Sequence, residues 1–219
     1  MMNPKRLKLK PSFAEERRFL AEGYKLTAGV DEVGRGCLAG PVLACAVILP
    51  CNIRRPWLKE VRDSKMLTHD KREYLFSYIE ETAIAVGTGV VEHTVIDAIG
   101  IGNASKLAMK QAIEELTPAA DSLIIDFFKL PDVPLPQKGI VDGDALCYSI
   151  ACASIVAKVT RDHLMLELDE VYPGYGLCRH KGYGTREHWR CIEEKGLSPI
   201  HRLSFCHLGE RFTSEDEDD

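Results

Sequence analysis

The sequence predicts an α/β fold built on a mixed β-sheet flanked by helices. Three observations lead there. Two β-branched and apolar runs, Thr27 to Val33 and Val42 to Leu49, are joined by a turn containing Gly34, Gly36 and the Gly40-Pro41 pair. Shorter apolar runs at Ser122 to Phe127 and Gly139 to Val141 have strand length. Stretches with helical spacing lie between and after them, the longest from Ala145 to about Glu170.

Residues 1–20 read as a polar, basic leader with a short helix, since Phe13, Arg17 and Leu20 keep helical spacing after Pro11. The two apolar runs around the glycines form a hairpin. Thr68 is placed to cap a helix reaching about Glu81, with Leu75, Tyr78 and Ile79 inward. Ala83 to Val91 then reads as a third strand, and Asn103 to Leu116 as a helix burying Leu107, Ile113 and Leu116. Pro131, Pro134 and Pro136 interrupt the two later strands. In the long helix, Cys152, Ile155, Val159 and Leu166 form one stripe, and Ser154, Lys158 and Arg161 fall on a separate polar face. Pro173, Gly174 and Gly176 end it, Thr185 opens a short helix toward Lys195, and the tail from Thr213 is expected to be disordered.

A chain of 219 residues suits one main domain with an appendage. Its eight cysteines include no CxxC pair and mostly sit in apolar runs, which fits a reducing compartment and a cytoplasmic protein. No secretory h-region and no membrane-length apolar stretch is present. The formal charge of -5 does not exclude a polyanionic partner, because Glu215, Asp216, Glu217, Asp218 and Asp219 carry five negatives and the remainder sums to zero. Basic residues gather at Lys5, Arg6, Lys8 and Lys10 and at Arg179, Lys181, Arg186 and Arg190.

Asp31 and Glu32 place adjacent carboxylates in an apolar strand pattern, where charge is costly without a partner. A hard divalent cation is one answer, and a solvent-exposed pair bridged to Arg35 is the other. Strand alternation sends neighbouring side chains to opposite faces, so both acids reach one site only through a bulge or twist. Asp126 closes another strand, and Asp144 lies just before the long helix, where a simple capping role competes with a site role. Several acids at strand ends together favour a metal site.

The run AGVDEVGRG, then LAGPV, DSK at Asp63 to Lys65, ASIVAKVTRD at Ala153 to Asp162, and HKGYGT at His180 to Thr185 resemble ribonuclease HII, in order, across about residues 27–206. The resemblance implies a ribonuclease H-like catalytic domain over residues 21–172 and a helical C-terminal extension over residues 173–212 that grips the duplex. It leaves a leader at 1–20 and an acidic tail at 213–219. Asp31, Glu32, Asp126 and Asp144 match the family's four acids, which hold Mg²⁺ or Mn²⁺. Two such ions about 4 Å apart activate water and stabilise the leaving oxygen. The implied reaction cuts 5′ of a ribonucleotide, in RNA/DNA hybrids and in DNA duplexes with embedded ribonucleotides, leaving a 3′-hydroxyl and a 5′-phosphate. Gly34, Arg35 and Gly36 match the motif that meets the ribose 2′-hydroxyl, with a plain positive-φ turn as the alternative. Tyr183 matches a tyrosine stacking on the neighbouring deoxyribose, with a core role as the alternative. Lys65, Ser154, Lys158 and Lys181 would touch phosphates, against ordinary solvated lysines. A monomer is expected.

Three positions depart from the family pattern: Phe127 and Phe128 follow the third acid, Asp142 stands where lysine is usual, and Cys37 replaces a common proline. They are expected to repack the loop, to shift a carboxyl pKa or metal affinity, and to loosen the turn. Arg161 and Asp162 are candidates for a structural pair, with Asp162 outside the metal shell. Cys178, His180, Cys206 and His207 fit no standard zinc spacing. A small-molecule phosphohydrolase would need the acids without the glycine motif and Tyr183, and a non-catalytic hybrid-binding protein would not need them at all.

Overall fold

The computed structural model describes residues 10–206. β1 (Thr27–Val33) and β2 (Val42–Ile48) form the antiparallel hairpin, and β3 (Ala85–Val91) pairs antiparallel with β2. β4 (Ser122–Asp126) and β5 (Gln137–Ile140) add in parallel on the other side of β1. The five-stranded order is β3-β2-β1-β4-β5, which leaves β1 at the centre.

Helices cover both faces of this sheet. On one face α4 (Ile101–Glu114) packs Ala104, Ala108, Met109 and Ala112 against Ala28, Val30, Ala44 and Ala46. On the other, α6 (Tyr148–Val171) packs Ala151, Cys152 and Ile155 against Leu43, Cys45 and Val47, joined by Leu75 and Ile79 of α2 (His69–Thr82). Successive β2 residues therefore enter different hydrophobic layers, which is why the strand reads as an unbroken apolar run. The helices lie close: a Cβ on Gly29 would fall 2.2 Å from the Ser149 carbonyl carbon, so only glycine lets α6 rest on β1. Shaving fully buried Leu75 to Ala would cost about 2–5 kcal/mol.

Local signals place several helix starts. The Thr68 side chain accepts the Lys71 N–H, and Thr185 accepts the His188 N–H at the start of α8 (Arg186–Lys195). Residues read as a leader contribute α1 (Ala14–Ala21), whose Phe19 is buried together with the preceding Phe13. Glu16 of α1 accepts both the N–H and the hydroxyl of Ser149 at the start of α6. Residues 1–9 and 207–219, including the expected tail, lie outside the described residues.

Four expectations are corrected. A helix, α3 (His93–Ile99), precedes α4 where none was expected. The long helix breaks at Cys147, whose extended backbone separates α5 (Gly143–Leu146) from α6. Tyr78 is exposed, its ring resting on Trp57 and Tyr74 at the surface. Leu166 is also exposed, because a 24-residue helix overhangs a seven-residue strand by more than 10 Å at about 1.5 and 3.3 Å per residue. The overhanging end instead meets α7 (Leu177–His180), with Met165 packed against Leu177, Ala39 and Ile200.

Candidate active site

β1 and β4 run parallel with Val30 opposite Ile125, so the next residues, Asp31 and Asp126, sit side by side at the carboxyl ends of the two strands. Asp126 then reaches forward, its Oδ1 accepting the Gly143 N–H at 2.7 Å, which anchors the start of α5 and brings Asp144 to the same edge. Asp144 lies inside the first turn of α5 and is buried, so a capping role does not explain it. Of the two devices expected, a bulge or a twist, the bulge is absent from the hairpin: pairing continues evenly from Asp31↔Cys45 through Glu32↔Ala44 to Val33↔Leu43. Alternation directs Asp31 and Glu32 to opposite faces, yet both feel Asp126, because β4 ends beside them and the sheet edge is open there.

Electrostatics are severe at this edge. Burial, then the negative charges of Glu32, Asp126 and Asp144, hold the Asp31 carboxyl well above the usual carboxylate range, opposed by a hydrogen bond from Ser154. Burial also raises Glu32, while Arg35, 3.3 Å away, pulls it down. Glu32 Oε2 is buried without a hydrogen-bond partner. Clustered carboxylate oxygens that repel one another, one of them orphaned, suit a hard divalent cation. Among the described residues no three His, Cys, Asp or Glu side chains already close around a single metal position. The acids are therefore convergent but not drawn into a finished shell. His207, of the zinc set considered above, lies outside the described residues.

A cleft of about 690 Å³ opens over the acids, lined by Glu32, Gly34, Arg35, Gly36, Lys65, Asp126 and Tyr183. Seven of the residues expected from sequence thus share one space, whereas Asp31 and Asp144 are buried and do not line it. Gly34 has φ +88°, and a Cβ there would meet Arg161 Nε at 2.3 Å, so both conformation and crowding require glycine. Gly36 has open space beside it. Tyr183 lines the cleft with 38% of its surface exposed, so it is not a core residue.

The remaining candidates divide. Ser154 is buried, bonded to Ser64 at 2.9 Å and to Asp31. Lys158 forms an ion pair with Asp162 at 2.7 Å and lies 5.8 Å from the Tyr183 ring centroid. Lys181 turns its ammonium back onto the Cys178 carbonyl and does not line the cleft. Arg161 is fully buried, not on a polar face, and bonds three carbonyls rather than Asp162.

Sequence reading missed cleft residues Ile101, Val141 and Phe205, which carry no motif. Phe127 and Asp142, noted only as departures, line it as well, in left-handed conformations with φ 60° and 56°. Phe128 lies under the Arg35 guanidinium at 4.9 Å. Cys37, expected to loosen its turn, is fully buried and donates its thiol to the Lys181 carbonyl at 3.6 Å. The charges that raise Asp31 come from Glu32, Asp126 and Asp144 rather than Asp142.

A mixed sheet with carboxylates gathered at the ends of adjacent parallel strands, beside a glycine turn, is the architecture of a ribonuclease H-type endonuclease. Comparison with known proteins narrows this. The model of the family described as Ribonuclease HII matches residues 28–208. Ribonuclease HII of Dehalococcoides mccartyi (strain 195) is 58% identical over 202 residues, 92% of this chain and 96% of that one. The ribonuclease HII of Desulfitobacterium hafniense (strain DCB-2) is 53% identical over 191 residues, 87% of this chain and 72% of that one. The ribonuclease H2 structure from Pyrococcus horikoshii OT3 superposes with a TM-score of 0.68 at 26% identity, over 81% of this chain and 92% of that chain. The chain belongs to the ribonuclease HII family. No helix among the described residues is long and apolar enough to cross a membrane.

Proposed function

We propose that this endonuclease hydrolyses the phosphodiester 5′ of a ribonucleotide, in RNA/DNA hybrids and at ribonucleotides embedded in duplex DNA, leaving a 3′-hydroxyl and a 5′-phosphate. The observation that carries this reading is the meeting of Glu32 and Asp126 with the Gly34–Gly36 turn and Tyr183 in one cleft, with buried Asp31 feeling the charges of Glu32, Asp126 and Asp144. Asp31, Glu32, Asp126 and Asp144 would hold Mg²⁺ or Mn²⁺, which when bound supplies an activated water and charge neutralisation at the phosphate. The chain's own groups do the rest. The backbone of the turn approaches the 2′-hydroxyl, which distinguishes RNA from DNA. Tyr183 offers its ring to the neighbouring sugar, and Lys65 in the cleft and Lys158 beside Tyr183 hold phosphates without reading bases. The domain covering residues 21–172 carries the chemistry and residues 173–212 help grip the duplex. The enzyme acts as a monomer in the cytoplasm.

The deciding experiment incubates a DNA duplex carrying one ribonucleotide with Mg²⁺, Mn²⁺ or EDTA, beside all-DNA and hybrid duplexes. Cleavage 5′ of the ribonucleotide, dependent on metal and lost in Asp31→Asn and Asp126→Asn, is expected. Wild-type rates in both variants would defeat the assignment.

A further inference from the structure

The Arg161 guanidinium lies beneath two separate segments of the cleft wall. It donates from Nε to the Pro41 carbonyl at 3.1 Å, from Nη2 to Ala39 at 3.3 Å, and from Nη1 to Lys181 at 2.8 Å. The first two acceptors belong to the segment that begins with the glycine turn. The third immediately precedes the Gly182-Tyr183 pair. The segments also touch directly, through Leu38 N–H to the Gly182 carbonyl at 2.7 Å and an isolated bridge between Cys37 and Tyr183. From the far side, buried Arg202 holds the carbonyls of Gly40 and Arg35 at 3.0 and 2.9 Å.

We propose that Arg161 is a positioning residue that couples the ribose-reading turn at Gly34–Gly36 to Tyr183, so that the enzyme recognises the two sides of an RNA-to-DNA junction as one unit. The proposal rests on the roles proposed above for those two elements. Its physical basis is the shape of the side chain. A planar fork with five donors fixes several carbonyls at set angles, whereas a lysine places one mobile charge. Burying a guanidinium against carbonyls is costly, and a neutral donor would suffice to satisfy a single acceptor. Arg161 also belongs to α6, which carries Ser154 two turns earlier, in contact with Asp31. A stiff helical spacing of about 10 Å therefore separates the acid cluster from the coupled readers.

The test is a double-mutant cycle read as selectivity, the ratio of kcat/KM on a single-ribonucleotide duplex to that on a uniform RNA/DNA hybrid. Arg161→Lys is expected to lower the ratio about tenfold, mainly through KM on the junction substrate, and Tyr183→Ala to add little on that background. Effects that multiply would overturn the coupling, as would an Arg161→Lys that lowers kcat alike on both substrates. So would a Tyr183→Ala with the wild-type ratio, since one reader would then read nothing. Gly182→Ala provides a second route that spares the buried cation. Its Cβ would stand 2.5 Å from the Ala39 carbonyl at φ +84°, forcing the segments apart from outside. It should show the same non-additivity with Tyr183→Ala, and it decides the matter if Arg161→Lys does not fold. Asp31→Asn separates the two readings. Full activity in that variant sinks the acid site, whereas multiplying effects with an inactive Asp31→Asn sink only the coupling.

Discussion

The Nε2 atoms of His188 and His201 lie 3.0 Å apart, deep beneath the Tyr183 turn. Their other contacts fix the proton between them. His201 Nδ1 accepts the Ser198 N–H at 2.9 Å, so its Nε2 donates; His188 Nε2 must accept, leaving its Nδ1 to donate to the Tyr183 carbonyl at 3.0 Å. Both rings are neutral in this arrangement.

Acid should therefore loosen the tyrosine turn. Burial pushes His188 down to about 4 from an ordinary 6.5, so the folded state resists a proton that the unfolded state accepts. Stability from this group is complete above pH 6.5 and is lost as the pH falls toward 4. Thermal melts between these limits should fall more steeply for wild type than for His188→Asn, which keeps a donor for Tyr183 but has no titrating ring. Parallel slopes would refute the tautomer chain.

Function and stability should oppose each other at Asp31. Burial and its acidic neighbours raise this carboxyl, so ionising it burdens the folded state, and the burden lifts as pH falls through the raised value. In EDTA, Asp31→Asn should melt higher than wild type, by roughly 2–4 °C per 1 kcal/mol relieved, while losing cleavage. Mn²⁺ at 100 times its Kd should add about 2.7 kcal/mol to wild type and far less to the variant. An unchanged or lower melting point in EDTA contradicts the repulsion.

The lysines should differ in how salt affects them. Lys65 lines the cleft, whereas Lys158 is already neutralised by Asp162 at 2.7 Å. Lys65→Ala is expected to flatten the slope of log binding constant against log salt by about 0.9, and Lys158→Ala by distinctly less. Fluorescence anisotropy on an uncleaved duplex in EDTA measures both slopes; equal changes would show that the ion pair opens on binding.

Phe127 offers a stability gain. It holds φ 60° with 66% of its surface exposed, so it bears left-handed strain with little packing in return. Phe127→Gly should raise stability by about 1 kcal/mol, visible in urea denaturation. A loss of similar size would mean that its edge contact with Phe128 outweighs the strain.

What could be read in advance was local. The hairpin, the Thr68 and Thr185 caps and the Asp31-Glu32 pair follow from short stretches of sequence, and the structure contains them all. The expectation of a bulge or a twist at Asp31-Glu32 is met by pairing that runs on without a bulge, with both acids feeling Asp126 where β4 ends beside them. Arg161 departs from its expected face for a different reason. Helical periodicity assigns a charged residue to a wet face, but the carbonyls that satisfy Arg161 arrive from residues 39, 41 and 181, which no periodicity reveals. Leu166 failed likewise, since a pattern cannot tell where the sheet beneath a helix ends.

Strand β1 is hydrogen-bonded along both edges, to β2 and to β4. The doubly paired part is Ala28 to Val30; Asp31 and Glu32 follow directly on it and keep their pairing to β2, so they are carried by a segment whose amides should be among the last to exchange with solvent. Partial fraying at the outer strand β3 would leave the acids where they are, and heat inactivation should track global melting rather than any earlier local event.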